Sequence, residues 1–409
     1  MSVSVRIQNL FPTMNSLSDT MTSLLNNVWS VPQLWSGMYK YVPNLHSLMR
    51  LFPREPGPLE IRRYLYFADG ESTFQYDDGL PALPVPDLRH TLDVYLESCK
   101  PYLTEEELEQ LGAVLKEFEA GMGTKLHAKL LEKAAKEKNW LEKWWEEEVY
   151  LKLRLPLIPY LYMCAEGPRP KELTSLYPLV LKFAIQPNDL LRPVQPLAIC
   201  LHYTVKFWFL MRQGKIKPQK QMRKDMNDKM AKPFSMHQFR RFFNTARVPK
   251  KGKDEIQCYF ATEEEDPNNE VPTNMIVLYR GYLYSVQVAD LDAGEIMTPH
   301  DMEAAMNWII ADARGRLPTI GPSVAALTCD ERDAWAENRE RLRALSPANA
   351  AILHEIESSL FGWSLQEDKP ETESDVLKKL ICDGIRDRWA DKSFTCMLFK
   401  NGCTGNSSD

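Results

Sequence analysis

Two hairpin patterns, separated by a long stretch of helical sequence, constrain the fold most. The first covers residues 275–288 and turns at 280–281; the second begins with the apolar run 393–399 and turns at 400–402. Glycine or asparagine between runs of β-forming residues is typical of antiparallel hairpins. Because helical segments separate these strands, the pattern predicts an α/β fold with a mixed sheet covered by many helices.

Helical signals are clear at several positions in the chain. Thr104 and Glu107 have the spacing of a capping box. One apolar stripe follows at helical spacing: Leu108, Leu111, Leu115, Phe118 and Met122. Further helices are expected at residues 197–211, after Thr298, and at 330–345, whereas the prolines of residues 80–86 predict an extended segment.

Composition argues against several classes of function. A formal net charge of −6, from 50 basic and 56 acidic side chains, gives no reason to expect nucleic acid as a partner. The eight cysteines occur singly, without a CxxC pair or a Cys/His cluster, so neither a metal site nor a disulfide framework is expected. The most apolar stretch, residues 155–164, is too short to span a bilayer and contains prolines. No transmembrane segment is therefore predicted.

The two ends of the sequence differ from its middle. Residues 1–54 contain one acid, Asp19, against four basic side chains, among many Ser, Thr and Asn residues. Mitochondrial transit peptides share this composition, so residues 1–60 are interpreted as an N-terminal extension or a targeting segment. At the other end, residues 403–409 follow the second hairpin turn without an evident strand pattern. We expect the strand before that turn to be left half-paired, as in a chain cut inside its sheet.

Five ordered segments resemble the carnitine/choline acyltransferase family. They are similar to its opening signature and to its NWL-x-x-WW…YL-x-x-R, QFR-x-x-F-x-TCR-x-PG, LT-x-x-x-R-x-x-WA-x-x-R and RW-x-DKS blocks. The segments are FQYDDGLPALPVPDL (74–88), NWLEKWWEEEVYLKLR (139–154), HQFRRFFNTARVP (237–249), LTCDERDAWAENR (327–339) and RWADKS (388–393). The chain departs from the family at Ala246 and Lys250, where the family has Cys and Gly. Within the family, residues 126–133 and 346–360 most resemble the octanoyl-type branch.

The resemblance implies a CoA-dependent acyltransferase fold, in which two related α/β domains meet around a tunnel. On this basis residues 61–100 are a leading segment of the second domain. Residues 101–409 are then the first acyltransferase domain, truncated within its sheet, and the second domain is largely missing. The implied reaction moves a medium-chain acyl group reversibly between coenzyme A and carnitine. Coenzyme A or acyl-CoA is then a co-substrate, no cofactor is permanently bound, and the protein is a monomer.

The resemblance also implies a histidine general base, since a pKa near neutrality suits both directions of transfer. At the family's spacing from Arg388, this histidine is the residue immediately after Asp409, so no catalytic residue is expected within the chain. None of the seven histidines present has a spacing that predicts a substitute. The chain alone is accordingly expected to be inactive.

Two pairs of residues match supporting positions of the family. Trp145 and Tyr150 match aromatic residues on the carnitine side, and aromatic faces attract a trimethylammonium group. The alternative is a helix that buries Trp144, Trp145 and Tyr150 as core. Arg388 and Asp391 match structural supports of the strand that carries the histidine. The alternative is an ion pair between these two residues at the entrance of that strand.

Other interpretations remain open. A truncated isoform without catalysis is one, and an enzyme that uses choline or a short acyl chain is another. The resemblance favours a peroxisomal location, whereas the composition of the first residues favours a mitochondrial one.

Overall fold

A computed structural model describes residues 70–167, 194–221, 232–318 and 320–408. The chain divides into two units. The smaller unit is Gly79–Lys152, and the larger unit holds the described residues up to Asp78 and from Leu153 onward. The predicted boundary between residues 100 and 101 lies inside the smaller unit and stays a prediction. The predicted N-terminal extension, residues 1–60, lies outside the described residues.

The smaller unit is built from helices. They are α1 Leu88–Cys99, α2 Glu105–Phe118, α3 Thr124–Ala134 and α4 Glu142–Trp144, with π-helical turns at Glu119–Gly123 and Trp145–Tyr150. The predicted capping box is confirmed, because the Thr104 hydroxyl accepts from the Glu107 amide and the Glu107 carboxylate accepts from the Thr104 amide at 2.8 Å. The predicted apolar stripe is divided: Leu115 is buried, whereas Met122 is exposed.

The larger unit contains longer helices and all the described strands. Its helices are α5 Leu157–Tyr160, α6 Val194–Arg212, α7 Pro299–Gly315, α8 Arg332–Leu345, α9 Pro347–Ser358 and α10 Glu373–Ile381. Short 3-10 turns occur at His237–Arg241, Val324–Cys329 and Ile385–Asp387. The three helices predicted at 197–211, after Thr298 and at 330–345 are confirmed. The Thr298 hydroxyl caps α7 by accepting from the Asp301 amide at 3.2 Å.

A six-stranded mixed sheet organises the larger unit. The strands among the described residues are β1 Met163–Glu166, β2 Lys220–Gln221, β3 Lys232–Pro233, β4 Thr245–Val248, β5 Glu255–Cys258, β6 Asn274–Tyr279, β7 Tyr282–Gln287, β8 Ala289–Asp290, β9 Glu295–Ile296, β10 Gly362–Gln366, β11 Phe394–Phe399 and β12 Thr404–Ser408. In the large sheet the order is β1-β12-β11-β10-β6-β7. Strand β10 runs parallel to β6 and to β11, and the other neighbours are antiparallel. The predicted α/β fold with a mixed sheet is confirmed.

Both faces of this sheet are covered. Along β6, Met275 and Val277 belong to a core that includes side chains of α6 and α7. The alternate residues Ile276 and Leu278 belong to a second core, together with Trp335 of α8 and side chains of α9. A strand with apolar residues on both faces is typical of a sheet enclosed between helices. Among the described residues, no helix is both long and apolar enough to cross a membrane.

The first predicted hairpin is confirmed. Strands β6 and β7 pair antiparallel, with Tyr279 opposite Tyr282. Arg280 and Gly281 between them both have positive φ, 52° and 75°, as the favoured two-residue hairpin turn requires. A Cβ at Gly281 would lie 3.0 Å from the Gly321 carbonyl oxygen, so close packing as well as φ favours glycine here.

The expected half-paired strand at the second hairpin is wrong. The returning strand is present as β12, which pairs with β11 on one edge and with β1 on the other. The sequence gives no clear strand signal here, because Thr404–Ser408 contains no apolar residue and includes Gly405 and Asn406, types that are depleted in strands. Packing explains the glycine, because a Cβ at Gly405 would lie 2.5 Å from Cδ1 of Leu380 in α10.

Candidate functional site

Residues 390–393, which we call the anchor segment, lead directly into β11 and bond to several parts of the larger unit. Its bonds link the Ala390 amide to the Thr328 hydroxyl (2.8 Å), the Ala390 carbonyl to the Tyr162 hydroxyl, the Asp391 carbonyl to the Arg247 amide (2.8 Å), the Ser393 amide to the Thr245 carbonyl (3.2 Å) and the Ser393 hydroxyl to the Phe242 carbonyl (2.7 Å). Four of these partners lie in two of the segments that resemble the family, residues 237–249 and 327–339, whereas Tyr162 lies outside all five. The anchor segment is therefore fixed by contacts between distant parts of the sequence.

The carboxylate of Asp391 lies at the centre of this arrangement. One oxygen accepts from Nη1 of Arg332 and the other from Nε1 of Trp335, each at 2.7 Å. Burial raises the pKa of the Asp391 carboxyl, and the neighbouring Arg332 guanidinium opposes that rise. Two donors on two oxygens fix the plane of the carboxylate as well as its position.

A second buried carboxylate, Asp254, extends the arrangement. It binds Nε of Arg247 at 2.8 Å, Nε of Arg332 at 2.7 Å and Nη2 of Arg154 at 2.8 Å. Burial lowers the pKa of Arg332, but the carboxylates of Asp391 and Asp254 outweigh this effect and raise it overall. Three arginines from three of the family-like segments thus converge on one aspartate. Sequence reasoning missed Asp254, which lies outside those segments and carries no local signal.

Arg388 supports the same region in a different way. Its guanidinium is fully buried and donates to the carbonyls of Lys379 at 2.9 Å, Asp383 at 3.2 Å and Leu380. These carbonyls lie at the C-terminal end of α10, where a cation complements the helix dipole. Burial lowers the pKa of Arg388.

The alternative of an ion pair between Arg388 and Asp391 is wrong. Asp391 pairs with Arg332, and Arg388 bonds to backbone carbonyls. The backbone at Arg388 is extended, with φ −137° and ψ 132°. The chain then turns at residues 390–391, where the Lys392 amide donates to the Trp389 carbonyl at 3.3 Å, so proximity in sequence does not bring these side chains together.

Lys392 was not singled out from the sequence, although it lies within the RWADKS segment. Its ammonium is buried and donates to the carbonyls of Glu357 at 2.9 Å and Ser359 at 2.6 Å. Burial lowers the pKa of Lys392 to about 7, and the nearby Glu357 carboxylate opposes this effect. Glu357 is itself bound by Arg339, with Nε at 2.8 Å and Nη2 at 2.9 Å. Lys392 thereby ties the anchor segment to the end of α9.

The predicted carnitine-side residues lie in the smaller unit, on the π-helical turn Trp145–Tyr150. Trp145 is 61% exposed, Trp144 is 45% exposed and Tyr150 is half-buried. The alternative of a helix that buries both tryptophans as core is therefore wrong. The Lys133 ammonium lies 4.8 Å from the centroid of the Trp144 ring, which shows that a tryptophan face here already attracts a cation. The role of Trp145 and Tyr150 in binding carnitine stays a prediction.

The site residues predicted from the sequence thus belong to two separate units. Trp145 and Tyr150 lie in the smaller unit, and Arg388 and Asp391 lie in the larger one. The predicted catalytic histidine, placed after Asp409, lies outside the described residues. In the part of the chain that is described, no three His, Cys, Asp or Glu side chains are grouped as metal ligands.

The chain is similar in sequence to known carnitine acyltransferases. The family described as choline/carnitine O-acyltransferase matches residues 83–408. The peroxisomal carnitine O-octanoyltransferase of Rattus norvegicus is 37% identical over 343 residues, 83% of this chain and 52% of that protein. Its Homo sapiens counterpart is 34% identical over 351 residues, with the same coverage. The mitochondrial carnitine O-palmitoyltransferase 2 of Homo sapiens is 27% identical over 403 residues, 89% of this chain and 56% of that protein. The chain spans about half the length of these relatives.

Proposed function

Because the chain belongs to the choline/carnitine O-acyltransferase family, we propose that it acts in reversible transfer of a fatty acyl group between coenzyme A and carnitine. The similarity to two peroxisomal carnitine O-octanoyltransferases supports a medium-chain acyl group. Coenzyme A and acyl-CoA are co-substrates in this proposal, and no permanently bound cofactor takes part. The protein acts as a monomer in the peroxisome, with the mitochondrion as the alternative location.

The proposed reaction uses a histidine as general base, at the position that follows Asp409. The imidazole takes the proton of the carnitine hydroxyl, and the hydroxyl oxygen attacks the thioester carbonyl carbon. The tetrahedral intermediate then breaks its carbon–sulfur bond, and the departing thiolate takes the proton back from the imidazolium. The reverse reaction exchanges the roles of oxygen and sulfur, which a base with a pKa near neutrality can serve in both directions.

One structural observation carries the proposal. Strand β12 runs antiparallel to β11, so that Ser408 at its end pairs with Phe394 at the start of β11. Ser408 therefore lies beside the anchor segment, where Asp391 and Lys392 are held by buried bonds. A catalytic group immediately after this point would emerge from rigid surroundings, as a general base in a fixed geometry needs.

The carnitine side of the proposal rests on Trp145 and Tyr150. An exposed indole face supplies the negative potential that a trimethylammonium group seeks. Trp145 has such a face, because most of its surface is exposed, whereas Lys133 lies over the ring of the neighbouring Trp144. We assign Trp145 and Tyr150 to the ammonium end of carnitine on this basis.

The test is an acyl-transfer assay of the native protein, isolated from its natural source, with acyl-CoA esters of short, medium and long chains. Release of the CoA thiol is followed with carnitine or choline as acceptor. We expect carnitine-dependent release that is fastest with a medium-chain ester. Choline-dependent release, or thiol release that does not require an acceptor, would overturn the proposal. Light scattering of the same preparation checks that the active species is a monomer.

A further inference from the structure

Two tryptophans of the larger unit share one environment and differ in a single bond. Trp335 and Trp389 are both fully buried, belong to the same core, and have ring centroids 6.0 Å apart. Nε1 of Trp335 donates to Asp391 at 2.7 Å. Nε1 of Trp389 has no hydrogen-bond partner among the described residues. The first indole is therefore tied to the anchor segment through a polar contact, and the second is held by packing.

We propose that Trp335 and Arg332 are positioning residues for the β11–β12 hairpin, acting through Asp391. Both lie in the first turn of α8, three residues apart, so their side chains share one face of the helix. Each donates to a different oxygen of Asp391. The orientation of that carboxylate, and with it the start of β11, is then set by α8.

Arg332 extends this control to a second element. Its Nε binds Asp254, the residue directly before β5. Its Nη1 binds Asp391, which lies in the anchor segment three residues before β11. One guanidinium thus links the β4–β5 hairpin to the start of the strand that leads into β12. The Asp391 carbonyl also accepts from the Arg247 amide in β4, which holds the same two segments at a fixed distance. The hydrogen bonds of Asp391 therefore determine the position of the anchor segment, whereas the apolar contacts of Trp335 and Trp389 keep the region buried.

Other contacts limit what the loss of one bond can do. Arg388 ties the segment to α10, and Lys392 ties it to the end of α9. Without the indole donor of Trp335, we expect the anchor segment to remain folded but to lose its single orientation. The effect should concentrate in β11 and β12 and be weak in β6 and β7.

The experiment compares Trp335→Phe with Trp389→Phe in the full chain. Both changes remove an indole from the same core, but only the first removes a bond to Asp391. Amide hydrogen exchange is measured for β11 and β12, with β6 and β7 as the internal reference. In Trp335→Phe we expect exchange in β11 and β12 to rise about tenfold or more above the reference, since hydrogen bonds to charged groups contribute more than neutral ones. In Trp389→Phe we expect all four strands to change together.

A pair of arginine variants covers the case in which a tryptophan variant fails to fold. Arg332→Lys keeps the charge but cannot bridge two carboxylates with a planar fork. The matched control is Arg212→Lys, because Arg212 is equally buried and binds Asp266 at 2.9 Å in another part of the larger unit. Selective exchange in β11 and β12 is expected for Arg332→Lys only. Equal exchange profiles within both variant pairs would overturn the positioning role.

The catalytic meaning of this role rests on the proposed function. In the native protein, Trp335→Phe should lower kcat with KM for carnitine and acyl-CoA nearly unchanged, while Trp389→Phe keeps both parameters near those of the parent protein. A parent protein without carnitine-dependent transfer would refute the proposed function but leave the exchange result standing. Selective exchange with an unchanged kcat would instead refute the positioning role in an active enzyme.

Discussion

The two units of the chain treat apolar and charged side chains differently. Thirteen of the twenty-one exposed large apolar side chains among the described residues lie in Gly79–Lys152, although this unit is much the smaller. It has ion pairs at the surface, as between Arg89 and Asp93 or Lys152 and Glu148. The larger unit covers both faces of its sheet and, besides surface ion pairs, buries several charged groups, as at Arg332 and Asp391.

Charged residues therefore act differently in surface ion pairs and in buried ion pairs. Surface ion pairs contribute little to stability, because water already solvates both partners. Buried pairs also contribute little in net terms, but removing one partner is costly since the other charge is left without solvent. The charges of the larger unit are therefore suited to specifying one arrangement of strands. The exposed aromatic residues of the smaller unit are available for contacts that the described residues do not make.

The largest expected effect comes from removing a buried charge. Arg332→Ala leaves the carboxylates of Asp254 and Asp391 short of a partner. We expect the free energy of unfolding to fall by about 3–5 kcal/mol, measured by urea denaturation. The matched change in the smaller unit, Arg89→Ala, should leave the free energy of unfolding nearly unchanged, because its ion pairs lie at the surface. Equal costs would remove the distinction between the two units.

Lys392 makes the stability of the larger unit depend on pH. Its pKa is about 7 in the folded protein and 10.5 ordinarily, so between these values the unfolded state binds more protons. The free energy of unfolding contributed by Lys392 therefore rises with pH across this interval, by at most about 1.4 kcal/mol per pH unit, and is lost as the pH falls to 7. Lys392→Met should flatten this part of the profile in chemical denaturation at a series of pH values. An unchanged slope would contradict the depressed pKa.

Replacing a glycine by alanine should change the stability by an intermediate amount, with opposite sign in the two units. Gly405→Ala forces a Cβ against Leu380, 2.5 Å from its Cδ1, and should destabilise the protein by about 1–3 kcal/mol. Gly112→Ala in α2 meets no atom within 4 Å and should stabilise its helix by roughly 0.5–1 kcal/mol. Thermal unfolding of the two variants checks both signs. A neutral Gly405→Ala would show that α10 can move away from β12.

The smallest effect on stability is expected at Trp145, where the effect on binding is the informative one. Trp145→Ala removes an exposed ring and should raise KM for carnitine about 2- to 30-fold at unchanged kcat, the range of a cation–π contact. Trp144→Ala is the control, because that ring already carries the Lys133 ammonium. Steady-state kinetics with varied carnitine separates the two variants. A KM that rises equally in both would refute the assignment of Trp145.

What the sequence predicts well depends on local signals. The turn at Arg280 and Gly281 and the helix after Thr298 are predicted because few neighbouring residues decide them. Strand β12 was missed because its residues have low strand propensity, and its state is imposed by β11, β1 and α10. Packing of this kind overrides propensity and leaves little trace in the strand itself.

The candidate site was predictable only in its outline. The family-like segments identified Arg388 and Asp391, but not the partners of either residue. The partners of Asp391, Arg332 and Trp335, come from a distant segment, and no single-sequence spacing relates them to the strand that they hold. The resemblance to the family therefore locates the anchor segment in the sequence. The hydrogen-bond partners of that segment can be identified only in the folded chain.

The position of β12 between β1 and β11 also bears on how the protein is made. During synthesis β1 emerges early, at residues 163–166, but the strand that it pairs with comes at 404–408. Its backbone groups must wait until residues 404–408 have left the ribosome before their sheet partner exists. Such late, long-range pairing slows folding and prolongs the exposure of an unpaired strand. The nascent protein should accordingly depend on chaperones until β12 inserts.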